Sequence, residues 1–366
     1  MKKFISYCLL PTAYCLLLAM PCWAAIDLSE IGVGARPLGL GRAYVALADD
    51  ASAIFTNPAG LSANHDLNLI SMSGQMLGDV GYRLIGASDY SPVLGKLGIG
   101  YVNASVGNIP LTELRGSGPS LEAVPYDSTS YGSSILFVSY GSKLSRFLRG
   151  FGENVAIGGS LKYFWQGFSG GGSVMQDATG VGLDADLGLQ WQVNSWANLG
   201  LTFQNFLSES MGGKFVWQKN SVTEGIPMVV RVGGHFKILG LSALKLNTEE
   251  KLDLLVEYEK NHDQSRPALW HLGLEYWPIE DFVCRFGIDQ KARATELGVG
   301  VDNNLTFGLG LYFAGFTFDY AYHQFGELSE NATHFFSLGY RGKEKGKEYE
   351  RQKAEKKIST VPTPEV

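Results

Sequence analysis

The sequence contains little cysteine. Of its four cysteines, Cys8, Cys15 and Cys22 lie in an N-terminal stretch that has the features of a secretion signal, so the mature chain keeps only Cys284. One thiol can form neither an internal disulfide nor a cysteine metal cluster. We therefore expect no disulfide and no cysteine-bound metal in the mature protein.

Long apolar runs are missing after the N-terminus, and so is an excess of positive charge. A membrane-spanning helix needs about 18 consecutive apolar residues, which excludes a helical membrane protein. Charged residues make up 18% of the chain and the net charge is -6, so we expect no nucleic-acid partner, because such proteins present a basic face. The 46 glycines and 12% aromatic residues argue against disorder.

Sequence motifs of enzymes and cofactor sites are also absent. The six histidines are scattered, and neither H-E-x-x-H nor G-x-S-x-G occurs. His334 and Ser337 stand three residues apart on one predicted strand and so face opposite sides of it. The glycines at 34–41 lack the following Lys-Ser/Thr of a phosphate-binding loop. We expect no catalytic residue, no metal and no cofactor.

Both ends of the chain differ in composition from the rest. Lys2 and Lys3, an apolar stretch from 5 to 20 and small residues around Ala24 are typical of a secretory signal, and residues 1–25 are assigned to it. Residues 342–366 mix lysine and glutamate and end in prolines. We assign them to a charged periplasmic tail, which either contacts a partner or is a solvated extension.

Strict alternation from Gly180 to Gln192 indicates a strand with one apolar and one polar face. In a soluble sandwich the apolar face would point inward, whereas in a transmembrane barrel it would meet lipid. Fourteen segments of this kind follow one another, most of them near the 9 to 11 residues that cross a bilayer at a tilt. They are 66–75, 79–89, 95–105, 131–143, 154–166, 179–192, 196–206, 227–238, 251–260, 268–277, 281–289, 305–313, 315–324 and 333–341.

The predicted fold is all-β, a transmembrane antiparallel β-barrel of about 14 strands over residues 63–341. Alternate connections are short, which fits turns on the periplasmic side, longer loops outside and both termini in the periplasm. The segment 297–301 is predicted to be a loop, and 106–130, 207–226 and 290–304 to be outer loops.

Residues 26–62 lack alternation but carry apolar side chains that need cover from water, so we predict a plug inside the barrel. Its glycines permit close packing, and Pro58 ends a short helical turn, because a residue before proline leaves the helical region. We expect Asn57 to stabilise this turn and not to bind a ligand. The residues that define the motif are Gly34, Gly39, Gly41, Asp49, Asp50, Asn57, Pro58, Ala59 and Gly60.

This segment resembles a known family. The sequence from Gly34 to Ala53, followed by Asn-Pro-Ala-Gly-Leu at 57–61, is similar to the N-terminus of PorV/PorQ-like outer-membrane proteins and to the lumenal hatch of FadL-type fatty-acid transporters. Weaker similarity continues to 336–340. The resemblance implies the outer membrane as location, membrane lipid as a partner and one of two functions. One is a partner-binding barrel associated with type IX secretion of cargo proteins; the other is a channel for hydrophobic ligands. The oligomeric state stays open.

Polar residues on the predicted lumen faces are the remaining site candidates. They either line a route through the barrel or form a polar network that packs a plugged lumen. These residues are Lys162, Asp184, Asp186, Arg231, His271, Glu275, Arg285 and Asp319.

Overall fold

The structure is a computed structural model of the chain. It describes residues 28–63, 67–76, 79–91, 95–116, 121–148, 152–172, 175, 178–247, 249–262, 266–295, 298–324 and 333–342. The assigned signal peptide and all but the first residue of the charged tail lie outside these ranges. Among the described residues, every helix is too short or too polar to cross a membrane.

Seventeen strands form one sheet. They are β1 (Asn68–Met76), β2 (Val80–Ser91), β3 (Gly95–Arg115), β4 (Glu122–Lys143), β5 (Val155–Gly170), β6 (Thr179–Gln192), β7 (Ala197–Gln204), β8 (Lys214–Trp217), β9 (Thr223–Gly225), β10 (Val229–Gly240), β11 (Lys245–Leu246), β12 (Lys251–Asn261), β13 (Leu269–Ile279), β14 (Phe282–Thr295), β15 (Gly298–Phe313), β16 (Phe316–His323) and β17 (Thr333–Arg341).

The sheet closes on itself, because β1 pairs antiparallel with both β2 and β17. The ring runs through neighbouring antiparallel strands, with β7 pairing to β10 and β10 to β12. The short strands β8, β9 and β11 are additions to it: β8 pairs with β6 and β9, and β11 lies parallel to β10. The predicted antiparallel barrel of fourteen strands is confirmed. Closure leaves no unpaired edge in the ring.

The two faces of the sheet settle which way the apolar rows point. On β5, Leu161 is exposed on the outside, whereas its neighbours Ser160 and Lys162 are buried on the inside. On β13, Leu272 is exposed and its neighbour His271 is fully buried. Such an apolar exterior around a polar interior is the arrangement of a membrane barrel and the reverse of a soluble sandwich.

Three of the predicted outer loops contain strand. Residues 106–130 are largely strand, since β3 and β4 continue past Val106 as a two-stranded ribbon. Of the predicted outer loop 290–304, which includes the loop assigned at 297–301, residues 290–295 end β14 and residues 298–304 begin β15, and the two stretches pair with each other. The 207–226 segment contains β8 and β9. We call the end of the barrel that carries the β3–β4 ribbon the hairpin end. The opposite end, where β1 begins at Asn68 and β17 ends at Arg341, is the terminus end.

The N-terminal segment, residues 28–63, contains two short helices, α1 (Ala35–Gly39) and α2 (Ala53–Thr56). Turns of 3₁₀ helix precede and follow them, at Leu28–Ile31 and Pro58–Ala63. Almost all of its side chains are buried. It contacts inward-facing residues of strands on opposite sides of the ring, including Ser337 of β17 and Gly158 of β5. The segment therefore lies within the barrel.

Candidate functional site

The inner wall carries a ring of glycines where it meets the N-terminal segment. At each of these positions a methyl group would come into contact with the segment, in most cases closer than real Cβ atoms approach. We call this set the glycine collar. It consists of Gly86, Gly98, Gly100, Gly141, Gly158, Gly188, Gly200, Gly233, Gly273, Gly287 and Gly308, spread over β2 to β7, β10 and β13 to β15.

The collar brings two backbones into contact without intervening side chains. A Cβ on Gly273 would lie 2.7 Å from the carbonyl oxygen of Leu40, and one on Gly200 would lie 2.5 Å from that of Val45. From the other side, Gly41 has a positive φ of 61°, and its own Cβ would lie 2.6 Å from the carbonyl oxygen of Leu272. Glycine meets both demands, since it has no side chain and adopts positive φ without strain.

Asn57 connects two parts of the N-terminal segment, around Val45 and around Ala59, to the barrel wall. Its side-chain Nδ2 donates to the carbonyl oxygens of Val45 at 2.8 Å and of Leu189 on β6 at 3.2 Å, while its Oδ1 accepts from the Ala59 amide at 3.2 Å. Pro58 and Ala59 then pass directly over Gly158. Because the side chain is fully buried and bonded on both ends, its role in this structure is to hold the chain.

The first cluster of charges surrounds Arg36. Its guanidinium contacts Glu275 of β13 at 2.9 Å, Asp49 at 2.6 Å and Asp50 at 3.2 Å. Arg285 of β14 bonds the same Glu275 at 2.8 Å and also Asp319 of β16 at 2.7 Å. Arg341, at the end of β17, lies 3.6 Å from both Asp49 and Asp50. This cluster ties α1 to the wall.

The same neighbours set the charge state of Asp50. Burial alone would raise the pKa of its carboxyl group, but the guanidinium groups of Arg36 and Arg341 and hydrogen bonds from Ser52 act against burial. The pKa of Asp50 therefore lies below its ordinary value. The carboxylate stays ionised and acts as a permanent partner for the two arginines.

The second cluster surrounds Arg42, which follows α1 in the N-terminal segment. Arg42 lies 3.4 Å from Glu259 of β12 and 3.5 Å from Asp289 of β14. Two histidines share Asp289, with His271 Nδ1 and His323 Nε2 each 2.8 Å from its carboxylate oxygens. Arg231 of β10 contacts Glu259 at 2.8 Å. The cluster links Arg42 to four neighbouring wall strands and β16.

Glu257 of β12 belongs to the same region and holds the segment through its backbone. One of its carboxylate oxygens accepts hydrogen bonds from the amides of Tyr44 at 2.8 Å and Val45 at 2.9 Å. A buried carboxylate is stable when it receives such charge-assisted bonds.

The third cluster joins β5 to β6. Lys162 of β5 contacts Asp186 of β6 at 2.7 Å. Asp186 and Asp184 also accept hydrogen bonds from the backbone amides of Asn205 and Leu207, at 2.9 and 3.1 Å. These two carboxylates fix the chain where it leaves β7.

The predicted lumen residues thus fall into three separate groups. Glu275, Arg285 and Asp319 lie in the first, His271 and Arg231 in the second, and Lys162, Asp184 and Asp186 in the third. All are buried. In the part of the chain that the structure describes, no set of three or more histidine, cysteine or acidic residues has the arrangement of a metal site.

An apolar sector faces the first two clusters across the barrel and adjoins the third, because the Lys162 ammonium lies 6.0 and 5.6 Å from the ring centroids of Phe137 and Phe164. The sector lies on the inner side of β17 and β1 to β5, mostly nearer the hairpin end than the collar. Phe55 of α2 packs edge-on against Phe137 at 5.1 Å between ring centroids, and Tyr82 packs against Phe335 at 6.3 Å. The Tyr82 hydroxyl donates to the carbonyl oxygens of Leu28 and Gly32. The wall residues of this sector are Met72, Tyr82, Leu84, Val102, Ile135, Phe137, Phe164 and Phe335.

A cavity of about 220 Å³ opens at the hairpin end beside β12 and β13. Its lining includes the apolar residues Ile31 and Leu269 and the charged residues Arg42, Glu259 and Lys291. It is large enough for a small organic molecule or several waters. Arg42 and its ion-pair partner Glu259 therefore border this space.

Sequence reasoning missed the cations of the N-terminal segment and the collar. Arg36 and Arg42 are isolated arginines in a buried, glycine-rich stretch. Because buried charges require partners, this feature could have identified them as site residues. The collar also left a signal, because glycine recurs at inward positions of nearly every strand. Arg341 and His323 gave no signal in the sequence.

No protein-family model and no curated protein matches the sequence. Solved barrels do match in three dimensions. The TodX deltaS2S3 mutant monoaromatic hydrocarbon channel aligns with a TM-score of 0.53 at 12% identity, over 84% of this chain and 97% of that one. The TodX deltaS2 mutant gives 0.50 at 12% identity, over 86% and 99%. A FadL homologue of Pseudomonas aeruginosa gives 0.46 at 11% identity, over 84% and 97%.

This protein has the same barrel fold as the two TodX structures. At such low identity the likeness concerns the fold alone. Membership of the FadL-like superfamily and of the PorV/PorQ-like group stays a prediction.

Proposed function

We propose that the protein is an outer-membrane channel for hydrophobic small molecules, in which the N-terminal segment acts as a movable plug and both termini lie in the periplasm. The observation that carries this proposal is the apolar sector of the inner wall. Porin lumens are polar and filled with water, whereas here aromatic and aliphatic side chains line one side of the lumen from the collar towards the hairpin end.

The arrangement supports passage of apolar solutes in a simple way. Residues 28–33 cover the sector, with Leu28 and Val33 packed into it. An apolar molecule that takes their place is itself removed from water, at about 25 cal/mol for each Å² of apolar surface. Exchange of one apolar contact for another therefore has a small net cost. The collar lies between this sector and the terminus end, so the segment has to shift before a molecule passes.

The closed collar is also what keeps polar solutes out in this proposal.

The TodX structures with the same fold are described as channels for monoaromatic hydrocarbons, and such neutral aromatic molecules match an aromatic wall by stacking. We therefore take toluene as the first substrate to test.

The test is uptake of radiolabelled toluene by intact Gram-negative cells that express the protein. We expect uptake above that of cells with an empty vector, and a several-fold reduction for Leu84→Asn, which places an amide in the sector. Leu272→Asn, on the lipid-facing side of β13, is the matched control and should keep uptake near the unmodified level. Toluene uptake equal to the empty vector would reject the channel.

A second function is supported by the β3–β4 ribbon. Beyond Val106 of β3 and Thr129 of β4 these strands pair only with each other, so the ribbon projects from the hairpin end with both backbone edges open. Leu114 and Tyr126 on it are exposed. Open edges and exposed apolar side chains are features that bind partner chains, as the PorV/PorQ-like resemblance implies for secreted cargo.

Shortening the ribbon between 109 and 127 separates the two functions. If the protein binds cargo, the shortened variant should assemble as a barrel while proteins normally attached to the cell surface appear in the medium. If it is a channel, the surface proteins should be unchanged and toluene uptake should persist.

A further inference from the structure

The outer face of the barrel carries an arginine that belongs to none of the three charged clusters. Arg83 lies on β2 between Tyr82 and Leu84, whose side chains are buried in the lumen. Because side chains alternate along a strand, Arg83 points outward, and it is exposed. Within the described part of the chain, its guanidinium has no ion-pair or hydrogen-bond partner.

Aromatic side chains on the outer face show how deep Arg83 lies. Two residues nearer the terminus end, Ile85 is 59% exposed and stands opposite Tyr101 of β3 in the register. Tyr101 stacks on Trp165 of β5, with 5.7 Å between the ring centroids. Outward aromatic rings of this kind form the girdles that lie at the membrane interfaces of a barrel. Arg83 therefore lies just beyond the lipid tails, at the level of the headgroups on the hairpin-end side.

The neighbours of Arg83 on the adjacent strands are polar and uncharged. Ser73 of β1 and Asn103 of β3 stand directly opposite it in the register, and Ser73 is exposed. The Asn103 side chain is held in place, because its Nδ2 donates to Ser134 Oγ of β4 at 3.0 Å and to the carbonyl oxygen of Ser133 at 3.2 Å. Hydroxyl and amide groups thus flank the guanidinium.

The next outward position of β2 towards the hairpin end leaves space beside Arg83. This position is Gly81, where a Cβ would meet only atoms of Ser105, at 3.8 Å. The acidic residues nearest to Arg83 in the sequence are Asp79 and Asp89, and neither forms an ion pair with it. A headgroup can therefore approach the guanidinium without displacing a side chain or a carboxylate.

We propose that Arg83 and the polar groups beside it bind the phosphate of a lipid headgroup. A guanidinium on the lipid-facing surface needs an anion or water, and the cost of leaving it in hydrocarbon rises towards the centre of the bilayer. Phosphate is the anion that lipids place at this depth, and arginine binds it through two parallel hydrogen bonds. The hydroxyl groups of Ser73 and Ser105 are further donors.

The same lipid continues onto the apolar surface of the barrel. Its acyl chains lie in the direction of the terminus end, where Ile85 and Leu69 are exposed on β2 and β1. With the hairpin end outside, as in the proposed orientation, this is a lipid of the outer leaflet. The site itself does not depend on the channel function.

The experiment measures lipid binding by native mass spectrometry, on the full-length mature protein in a detergent with an uncharged headgroup. The probes are lipid A, lipid A from which the phosphates have been removed, and phosphatidylglycerol. Arg83→Gln should weaken binding of lipid A at least about fivefold, and Arg83→Lys, which keeps the charge but loses the parallel bonds, at least about twofold. Because Arg83 is exposed and has no partner in the described chain, the barrel should assemble, which heat-modifiable migration on a gel verifies.

Lys214→Gln is the matched control. Lys214 of β8 is exposed at the hairpin end and its neighbour Phe215 is buried, so this variant removes an outward positive charge from another part of the barrel. It should change binding of lipid A less than about twofold if general surface charge does not hold the lipid.

Binding that depends on both Arg83 and the phosphate supports the site. A preference for lipid A then agrees with the hairpin end outside, and a preference for phosphatidylglycerol agrees with the reverse orientation. The proposal is overturned if neither phosphorylated lipid binds, if Arg83→Gln or removal of the phosphates leaves binding unchanged, or if Lys214→Gln weakens binding equally. It is also overturned if Arg83→Gln dissociates an oligomer of the protein without changing lipid binding, because Arg83 would then contact a second copy of the chain.

Discussion

Replacement of Gly158 by alanine tests whether the collar holds the N-terminal segment. A Cβ at this position would overlap the backbone of Pro58 and Ala59, closer than 3.0 Å. Backbone atoms cannot rotate out of the way as a flexible side chain can. The segment therefore has to move away from β5 while the barrel itself is unaffected.

The size of the effect follows from the contacts near Gly158. Overpacking of this kind costs about 1–3 kcal/mol. A shift of the segment by about 1 Å, estimated from the overlap, would carry the bond from Asn57 to Leu189 of β6, now 3.2 Å long, beyond hydrogen-bonding distance, whereas the bond to Val45 lies within the segment. The lost bond is worth about 0.5–1.5 kcal/mol. The population of the displaced segment should then rise about five- to a hundredfold.

Gly159→Ala provides the control on the adjacent residue. Gly159 faces outward, and a Cβ there would lie 3.5 Å from its nearest neighbour, an ordinary contact. Limited proteolysis of the folded barrel, together with ion conductance in planar bilayers, measures the displaced population. Gly158→Ala should be cleaved faster within 50–62 and show more frequent openings, and Gly159→Ala should match the unmodified protein.

Equal protease protection and equal conductance in the two variants would refute the reasoning, because the overlap would then have been absorbed without displacement of the segment. Loss of heat-modifiable migration in Gly158→Ala would also refute it, since the collar would then be needed for assembly of the barrel.

Three other predictions concern the same segment. Deletion of 26–62 should raise ion conductance in planar bilayers, because the collar would be left open, and unchanged conductance with intact folding would contradict the plug. Asn57→Ala should assemble normally but expose 50–62 to protease, by the loss of about 0.5–1.5 kcal/mol per bond; loss of ligand or cargo binding with protection retained would make Asn57 a contact residue. The pKa of Asp50 is lowered by its arginine neighbours, so its contribution is present above the unfolded value of about 3.9. Protection of the segment from protease should be constant from about pH 8 to pH 5 and fall below about pH 4. In Asp50→Asn the fall should be less steep. An equal fall in both proteins would mean that other groups cause the acid effect.

The barrel could be predicted because the membrane imposes a period of two on every crossing strand. Outward positions need apolar side chains and inward positions tolerate polar ones, so rows such as that from Val181 to Trp191 identify both the strand and its faces. The prediction failed where this constraint ends. The β3–β4 ribbon extends past the strands that pair around the ring, and the start of β15 alternates glycine with Val299 and Val301 but is too short by itself to be told from a loop.

The candidate site could be predicted only in part. Inward charges such as Glu275 and Arg285 follow from the phase of the strands, and the buried glycine-rich segment follows from its composition. Their partners do not follow, because Arg36 and Glu275 are 239 residues apart in the sequence and could meet only once the barrel had closed. The cavity beside β12 and β13 depends on the same closure.

The sequence by itself determined the class of fold, the number of crossing strands and the face of each strand, since these depend on local alternation and on the solvent at each face. Tertiary structure alone decided which wall glycines form the collar and which carboxylates receive Arg36 and Arg42. The physical reason is that a collar requires glycines at the same height along the barrel axis on many strands. The height of a residue depends on the stagger between neighbouring strands, which is fixed by their hydrogen-bond register. The pattern of a single strand does not contain that register.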